Sequence, residues 1–321
     1  MKGSILVTGG AGFVGSHFAR AAAEAGMRVT VLDDLSAGTK PPPGVELVVG
    51  DIADQALVAK TIRERGITAY AHFAGKICVG ESVEKPAMYF DGNLVKTIAL
   101  LDVVREHAPE AFLFSSTAAV YGMPDVVPIP EDARKEPINP YGDSKLSVER
   151  VLAAYGHAYK LPWAALRYFN AAGAHPDGTL REAHDPETHL IPLVIDAALG
   201  RRGPLTVFGE DYETRDGTCV RDYVHVCDLA SAHLAAISTL SSGRAVGAVN
   251  LGSSTGFTVK EVLDEAARVL GKPIPHSIGA RRPGDPATLL ASNARAAQVL
   301  GWRPQRSELG TVIDDAVRSR R

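Results

Sequence analysis

Little in this chain of 321 residues points toward a large charged or oily partner. Lysine and arginine number 34 against 37 acidic residues, a net charge of −3, so there is no basic excess to attract nucleic acid or an anionic membrane. No apolar segment approaches the ~20 residues that a membrane-spanning helix needs. The first apolar run, Ser4–Thr8, is too short for a secretory signal and is absorbed into the strand described below. Only three cysteines occur, Cys78, Cys219 and Cys227. They are scattered and lack metal spacing, which fits free thiols in a reducing cytoplasm and argues against a disulfide framework. The two tryptophans, Trp163 and Trp302, read as packing residues rather than as stacking platforms for a base. Repeats and low-complexity tracts are missing as well, and the basic end Arg318-Ser319-Arg320-Arg321 reads as a solvated tail. What remains is 45% hydrophobic, enough for one large core or two modest ones in a soluble enzyme.

The first positive signal is a strand running into a glycine loop. Ser4-Ile5-Leu6-Val7-Thr8 has strand length and leads directly into Gly9-Gly10-Ala11-Gly12-Phe13-Val14-Gly15. Glycines there permit a tight turn and let backbone amides approach a pyrophosphate at a helix N-terminus, where the dipole favours negative charge. The next apolar run, 27–32, ends in Asp33, at the distance where an acid meets adenosine ribose hydroxyls. An anion at that place disfavours a 2′-phosphate, so the expected cofactor is NAD rather than NADP. A third run, 45–49, ends in Gly50-Asp51-Ile52. Runs 69–75 and 111–117 follow as strands four and five, and 164–170 as strand six, with helices over 86–107 and 140–159. This alternation is that of a Rossmann-type, doubly wound parallel α/β sheet, whose ligands sit beyond the carboxyl ends of the strands. Residues 171–189 are polar and rich in Gly, Pro, Asp and His, and read as a substrate loop or domain junction.

Asn139-Pro140-Tyr141-Gly142-Asp143-Ser144-Lys145 carries the chemistry. Asn139 suits a helix cap and Pro140 the first turn, so Tyr141 and Lys145 project from one face, one turn apart. A phenol of reference pKa ~10 must fall by roughly 3 units, or roughly 4 kcal/mol, to act as a base near neutral pH. A lysine plus a cationic cofactor ring can supply that. The segment His184-Asp185-Pro186-Glu187-Thr188-His189 places two histidines and two acids within six residues. Its spacing matches neither a helical His pair nor a zinc signature, so no metal is expected and a solvated substrate loop is the reading.

Together these motifs, with Phe73-Ala74-Gly75, Ser115-Ser116-Thr117, Val120-Tyr121-Gly122 and Arg167-Tyr168-Phe169-Asn170, resemble the extended short-chain dehydrogenase/reductases. Val79-Gly80-Glu81-Ser82, Gly173-Ala174-His175-Pro176, residues 216–226, Val249-Asn250-Leu251-Gly252 and Arg281-Arg282-Pro283-Gly284-Asp285 narrow the resemblance, along nearly the whole chain, to the UDP-glucose 4-epimerase family. The resemblance implies an NAD-binding domain over 1–170, with segments near 222–252 returning to it, and a smaller sugar-nucleotide domain over 171–321. It assigns the cofactor to Gly9, Gly12, Phe13, Val14, Gly15, Asp33, Asp34, Leu35, Asp51, Ile52, Phe73, Ala74, Gly75, Lys76, Asn93, Ser115, Tyr141, Lys145 and Phe169. Catalysis falls to Thr117, Tyr141 and Lys145. The UDP-sugar falls to Thr117, Tyr141, Asn170, His189, Leu190, Thr206, Val207, Phe208, Arg221, Arg282, Asp285 and Leu289. It further implies a cytoplasmic homodimer joined through a four-helix bundle, with NAD held throughout turnover.

The resemblance also sorts the sister chemistries. Sugar-nucleotide 4,6-dehydratases need an acid and a base directly after the Ser/Thr, where this chain has Ala118 and Ala119; the glutamate usual in UDP-glucuronate decarboxylases is likewise missing. A non-catalytic NAD sensor would keep the glycine loop without the Tyr/Lys pair. Two positions depart from the family pattern: the lysine after Phe-Ala-Gly comes one residue early, at Lys76, and Gly92 replaces an asparagine. Leu289 aligns with a residue that governs entry of N-acetylated sugars, being intermediate between excluding tyrosine and admitting small residues. UDP-N-acetylhexosamines and UDP-pentoses therefore stay open as alternatives to UDP-hexoses. Replacing Asp33 tests the cofactor reading: Asp33→Ala is expected to weaken NAD retention and relax discrimination against NADP, and an unchanged preference would assign the ribose to another residue.

Overall fold

The computed structural model describes residues 3–36, 41–282 and 284–320; Pro283 of the Arg281–Asp285 motif and Arg321 of the basic end lie outside them. The first half alternates strand and helix as the apolar periodicity requires: β1 (Ser4–Thr8), α1 (Phe13–Glu24), β2 (Arg28–Asp33), β3 (Glu46–Val49), α2 (Gln55–Arg65) and β4 (Ala69–His72). Then come α3 (Val79–Glu84), α4 (Pro86–Tyr89), α5 (Lys96–Val104), β5 (Ala111–Thr117), α6 (Pro140–Tyr159) and β6 (Trp163–Tyr168). Every residue of β1 is buried, which is why it reads as a continuous apolar run rather than an alternating one.

Seven strands form one parallel sheet in the order β10-β6-β5-β4-β1-β2-β3, in which β10 (Gly247–Leu251) extends the edge beside β6. The order reverses between β1 and β4, and that switch point leaves a crevice at the strand C-termini. One core lies on one face of the sheet, from Phe18 and Val31 through Leu166 to Leu240, and a second on the other, from Leu32 and Ile62 through Phe112 to Leu152. Trp302 is buried in the first of these and donates Nε1–H to Ser231 at 2.9 Å, while Trp163 packs against the second.

The remaining elements are β7 (Asn170–Ala172), α7 (Leu190–Ala198), β8 (Leu205–Phe208), β9 (Val220–His225) and α8 (Val226–Ser241) before β10, then β11 (Gly256–Thr258) and α9 (Val259–Leu270). They end with β12 (His276–Gly279), β13 (Thr288–Leu289), α10 (Ala294–Leu300) and α11 (Leu309–Arg320). A separate core joins α7, β8, α9 and α11 through Ile191, Val207, Val262 and Ile313. Helix α8, by contrast, packs with α1 on the large sheet.

The structure redraws three readings. The run 164–170 is not one strand: it breaks after Tyr168, and β7 pairs with β9 in another sheet, because the Asn170 amide donates to the Asp222 carbonyl at 2.8 Å. The helix expected over 86–107 holds a π-turn over Phe90–Val95 and closes in a short 3-10 turn. The extra residue of a π-turn lets Asn93 point inward, where its Oδ1 accepts from the Lys76 N–H at 2.7 Å. The basic end is not a solvated tail, since the Arg320 side chain is only 12% exposed and pairs with Asp196 at 2.9 Å.

Strands β5, β6 and β10 and helix α6 are locked by one buried polar network. Arg167 and Glu149, 2% and 5% exposed, meet at 2.8 Å through Nε and Oε1. Arg167 Nη1 also donates to the Tyr121 hydroxyl at 2.7 Å, which donates to Asn250 Oδ1 at 2.7 Å. Removing one member of such a pair leaves a buried charge uncompensated, at a cost of about 3–5 kcal/mol. Glu149→Ala is expected to lose about that much stability in urea denaturation; an unchanged midpoint would show that water replaces the carboxylate.

Candidate active site

The site is a single cavity of about 1090 Å³ at the C-terminal ends of the sheet strands. A site for one drug-sized ligand spans roughly 300–1,000 Å³, and this one lies just above that range. Its walls run from the glycine loop after β1 to Arg221 on β9 and Arg282.

Helix α6 is placed by its cap. Asn139 Oδ1 accepts from the Gly142 N–H at 2.9 Å and Pro140 occupies the first turn, an arrangement worth ~1 kcal/mol. Tyr141 and Lys145 then face the cavity from successive turns. Lys145 is buried and donates from Nζ to the Ser115 carbonyl at 3.0 Å, with the Phe114 ring centroid 4.9 Å away. Burial lowers the Lys145 ammonium to about 8. Burial raises the Tyr141 phenol, and the hydrogen bond with Thr117 only partly opposes it. The protein alone therefore does not activate the phenol; a positive charge has to enter the cavity beside it. Thr117 ends β5, and its hydroxyl accepts from the Ala119 N–H at 3.1 Å. Ala118 and Ala119 form the adjoining wall, which thus carries no acid or base.

The cofactor end is a cradle in which side chains do not fit. A Cβ on Gly9, whose φ is +70°, would lie 2.4 Å from the Ala74 nitrogen, and one on Gly15 would lie 2.2 Å from the Gly9 carbonyl oxygen. Helix α1 begins at Phe13, after Gly12 at the cap position and with no side-chain cap, so its first N–H groups remain available to a pyrophosphate. Gly9, Gly12, Phe13, Val14 and Gly15 line this part, and Asp33, Asp34, Asp51 and Ile52 line the next. The Asp33 carboxylate is aimed by the Ala11 and Leu35 N–H groups, each at 2.9 Å. Asp51 pairs with Lys96. Burial alone would raise the Asp51 carboxyl, but Lys96 and the Ala53 N–H hold it below its ordinary value. These residues fit NAD. Phe73, Ala74, Gly75, Lys76, Ser115 and Phe169 line the cavity too.

At the far wall stand Asn170, His189, Arg221, Arg282, Asp285 and Leu289. Arg221 pairs with Asp285, and the Arg282 guanidinium carbon lies 4.0 Å from the Phe208 ring centroid. Burial would lower the His189 imidazole, yet Glu187 and Glu182 more than offset this and raise it.

Six sequence candidates are not on the cavity surface. Asn93 stands behind it, clasping the Lys76 backbone from both sides and donating to Ser144 at 3.0 Å. Leu35, Leu190, Thr206, Val207 and Phe208 lie off the lining as well; Phe208 packs against Arg282, and Val207 is buried in the smaller core. The two departures from the family pattern meet in space, a Cβ on Gly92 falling 3.7 Å from Lys76 Cγ. Sequence reasoning missed Lys96, Glu182 and Tyr168 on the lining. Lys96 had no local signal, because its partner Asp51 is 45 residues away.

The burial of Lys145 can be tested. Its folded pKa lies below the ordinary 10.5, so between about 8 and 10.5 the unfolded chain binds the extra proton and stability rises with pH. Lys145→Met is expected to stabilise the NAD-free chain at pH 7 by on the order of 1–3 kcal/mol, the gain shrinking toward pH 10.5. A destabilised variant at pH 7 would mean that the Ser115 hydrogen bond outweighs the burial.

Residues 5–252 match the NAD dependent epimerase/dehydratase family. A curated relative from Rhizobium meliloti, a UDP-glucose 4-epimerase, is 49% identical over 315 residues, covering 98% of this chain and 95% of its own. The crystal structure of UDP-glucose 4-epimerase from Brucella ovis in complex with NAD superposes with a TM-score of 0.96 at 46% identity, covering 98% of this chain and 97% of the other. That from Bifidobacterium longum, in complex with NAD+ and UDP, gives 0.91 at 37% identity, with 99% and 98% covered.

Proposed function

This chain belongs to the NAD dependent epimerase/dehydratase family, and on that footing we propose that it is a UDP-glucose 4-epimerase, interconverting UDP-galactose and UDP-glucose through a 4-keto sugar. The observation that carries the proposal is that Tyr141, Lys145 and Thr117 line the same cavity as the glycine cradle and the two arginines. When bound, NAD supplies a positive nicotinamide ring beside the phenol and accepts and returns the C4 hydrogen with its electron pair. Tyr141 removes the sugar O4 proton and later gives it back. Thr117 hydrogen-bonds the same oxygen and the phenol, keeping the two in line. Lys145 holds the nicotinamide ribose hydroxyls, and its charge, together with that of the ring, favours the phenolate.

Arg221 and Arg282 suit the diphosphate, since the guanidinium fork matches two oxygens at once. His189, its charge favoured by Glu187, lies on the same wall. Inversion at C4 requires the keto sugar to present its other face, which anchoring through the UDP moiety permits while the ring turns. Neither Ala118 nor Ala119 can promote elimination of water, which favours epimerisation over dehydration.

No helix among the described residues is long and apolar enough to cross a membrane. A cytoplasmic homodimer is the proposed working state, with α4, α5 and α6 pairing with those of a second copy. Val95 on the π-turn and Tyr159 at the end of α6, 56% and 55% exposed, are apolar positions that such a bundle can cover. A sedimentation mass near one chain of 33.9 kDa would contradict the pairing.

Proton NMR of the anomeric region, after incubation without added NAD, is the direct test. Conversion of UDP-galactose to UDP-glucose is the expected result, with UDP-N-acetylgalactosamine and UDP-arabinose ranking the pocket at Leu289. A persistent keto or dehydrated product would overturn the proposal. Tyr141→Phe is expected to keep NAD and UDP while losing most turnover, by roughly 10²–10⁴-fold as for other general bases; near-normal turnover would remove Tyr141 from its role.

A further inference from the structure

Residues 182–189 hold a side-chain cluster of which the proposed reaction uses only His189. The spacing of His184 and His189 gave no metal signature, and the group that completes the set, Glu182, stands just before the segment that carries them. One ligand atom from each of Glu182, His184 and His189 lies within 4.8 Å of the others. All three residues line the cavity.

Glu182 is 5% exposed, and its Oε1 finds no hydrogen-bond partner. It lies against His184 Nδ1, which is buried and without a hydrogen bond too. The two atoms form a carboxylate–imidazole contact. Glu182 Oε2 lies 3.8 Å from His189 Nδ1. A carboxylate and two imidazoles thus converge on one point of the cavity wall.

The cluster is held from outside. Arg320 at the end of α11 donates to the Glu182 carbonyl at 3.1 Å, lies 3.4 Å from Glu187 and is itself held by Asp196. Glu187 Oε1 accepts from the His189 N–H and lies 2.8 Å from its Nδ1. With Glu187 on Nδ1, Nε2 of His189 is the ring atom left for an ion, and an outer carboxylate that orients a ligating imidazole in this way is the support a metal site requires.

We propose that Glu182, His184 and His189 bind one divalent transition-metal ion, of the Zn²⁺ or Co²⁺ type, in the cavity wall. Two imidazoles and a carboxylate favour zinc, cobalt or nickel over magnesium or calcium, which take oxygen ligands. Ligands at ~2.0–2.2 Å from a tetrahedral ion stand roughly 3.3 Å apart, so closing on the ion needs only side-chain adjustment from the present spread. Three protein ligands leave a fourth position open toward the cavity.

The test uses the untagged, NAD-bearing full chain without sugar nucleotide, treated with chelator and titrated with Co²⁺. The expected result is a visible absorption band that saturates at one equivalent per chain and disappears on adding Zn²⁺. His184→Ala and Glu182→Gln are each expected to weaken binding at least about tenfold, with NAD content and circular dichroism retained. Absence of a saturable band in the parent would overturn the site, as would unchanged affinity in His184→Ala. The readout does not depend on turnover, so it stands or falls apart from the epimerase assignment.

Discussion

The buried Arg167–Glu149 ion pair is the contact on which the reacting geometry depends. Glu149 lies on the same helix as Tyr141 and Lys145, and also accepts from Ser116, the neighbour of Thr117. One carboxylate therefore fixes the helix carrying the phenol relative to the strand carrying the threonine. Arg167 is the residue before Tyr168, whose hydroxyl meets Ser115 on the cavity lining. A well-packed apolar replacement of a buried pair can be neutral or even stabilising, so net stability does not explain the arrangement. Directionality does, since hydrogen bonds from a fork-shaped guanidinium hold neighbouring elements in register where apolar packing tolerates sliding. Tyr121 and Asn250 extend the same lock to β10.

The cavity exists because the sheet reverses its strand order beside β1. Crossover helices leave in opposite directions there, and the space between them is filled on one side by the glycine cradle and on the other by Lys145 and Tyr141. Electrostatics complement this division. In the proposed reaction the uncapped start of α1 is assigned to the pyrophosphate, Asp33 to the ribose, and Arg221 and Arg282 to the second diphosphate. In the protein alone the charges at the centre are poorly matched: burial disfavours both the lysine ammonium and the tyrosine phenolate. Such mismatch is characteristic of a functional site, which stores an unfavourable arrangement that a ligand relieves.

The segment between β7 and α7 joins the two halves of the site. Strand β7 leaves the large sheet's path, pairs with β9, and so delivers residues 173–189 across the cavity mouth. Arg320 and Arg181, the latter donating to the Ser319 carbonyl at 3.0 Å, tie this segment to the last helix. The histidines there are only partly exposed, which converts an apparent surface loop into part of the wall. Burial and backbone hydrogen bonds account for that change.

Much of this protein was legible along the chain. Apolar runs closed by glycine or aspartate located the strands, the Asn-Pro start located α6, and the glycine loop located one end of the cavity, because each rests on interactions within a few residues. Tertiary structure alone decided the break of the sixth strand into β7, the inward turn of Asn93 and the pairing of Lys96 with Asp51. It also moved Thr206, Val207 and Phe208 off the cavity lining. Each of these depends on partners far apart in the chain or on a local geometry, such as the π-turn, that side-chain periodicity does not report. Local physics therefore determined the elements and the chemical groups available, and long-range packing determined which of those groups meet.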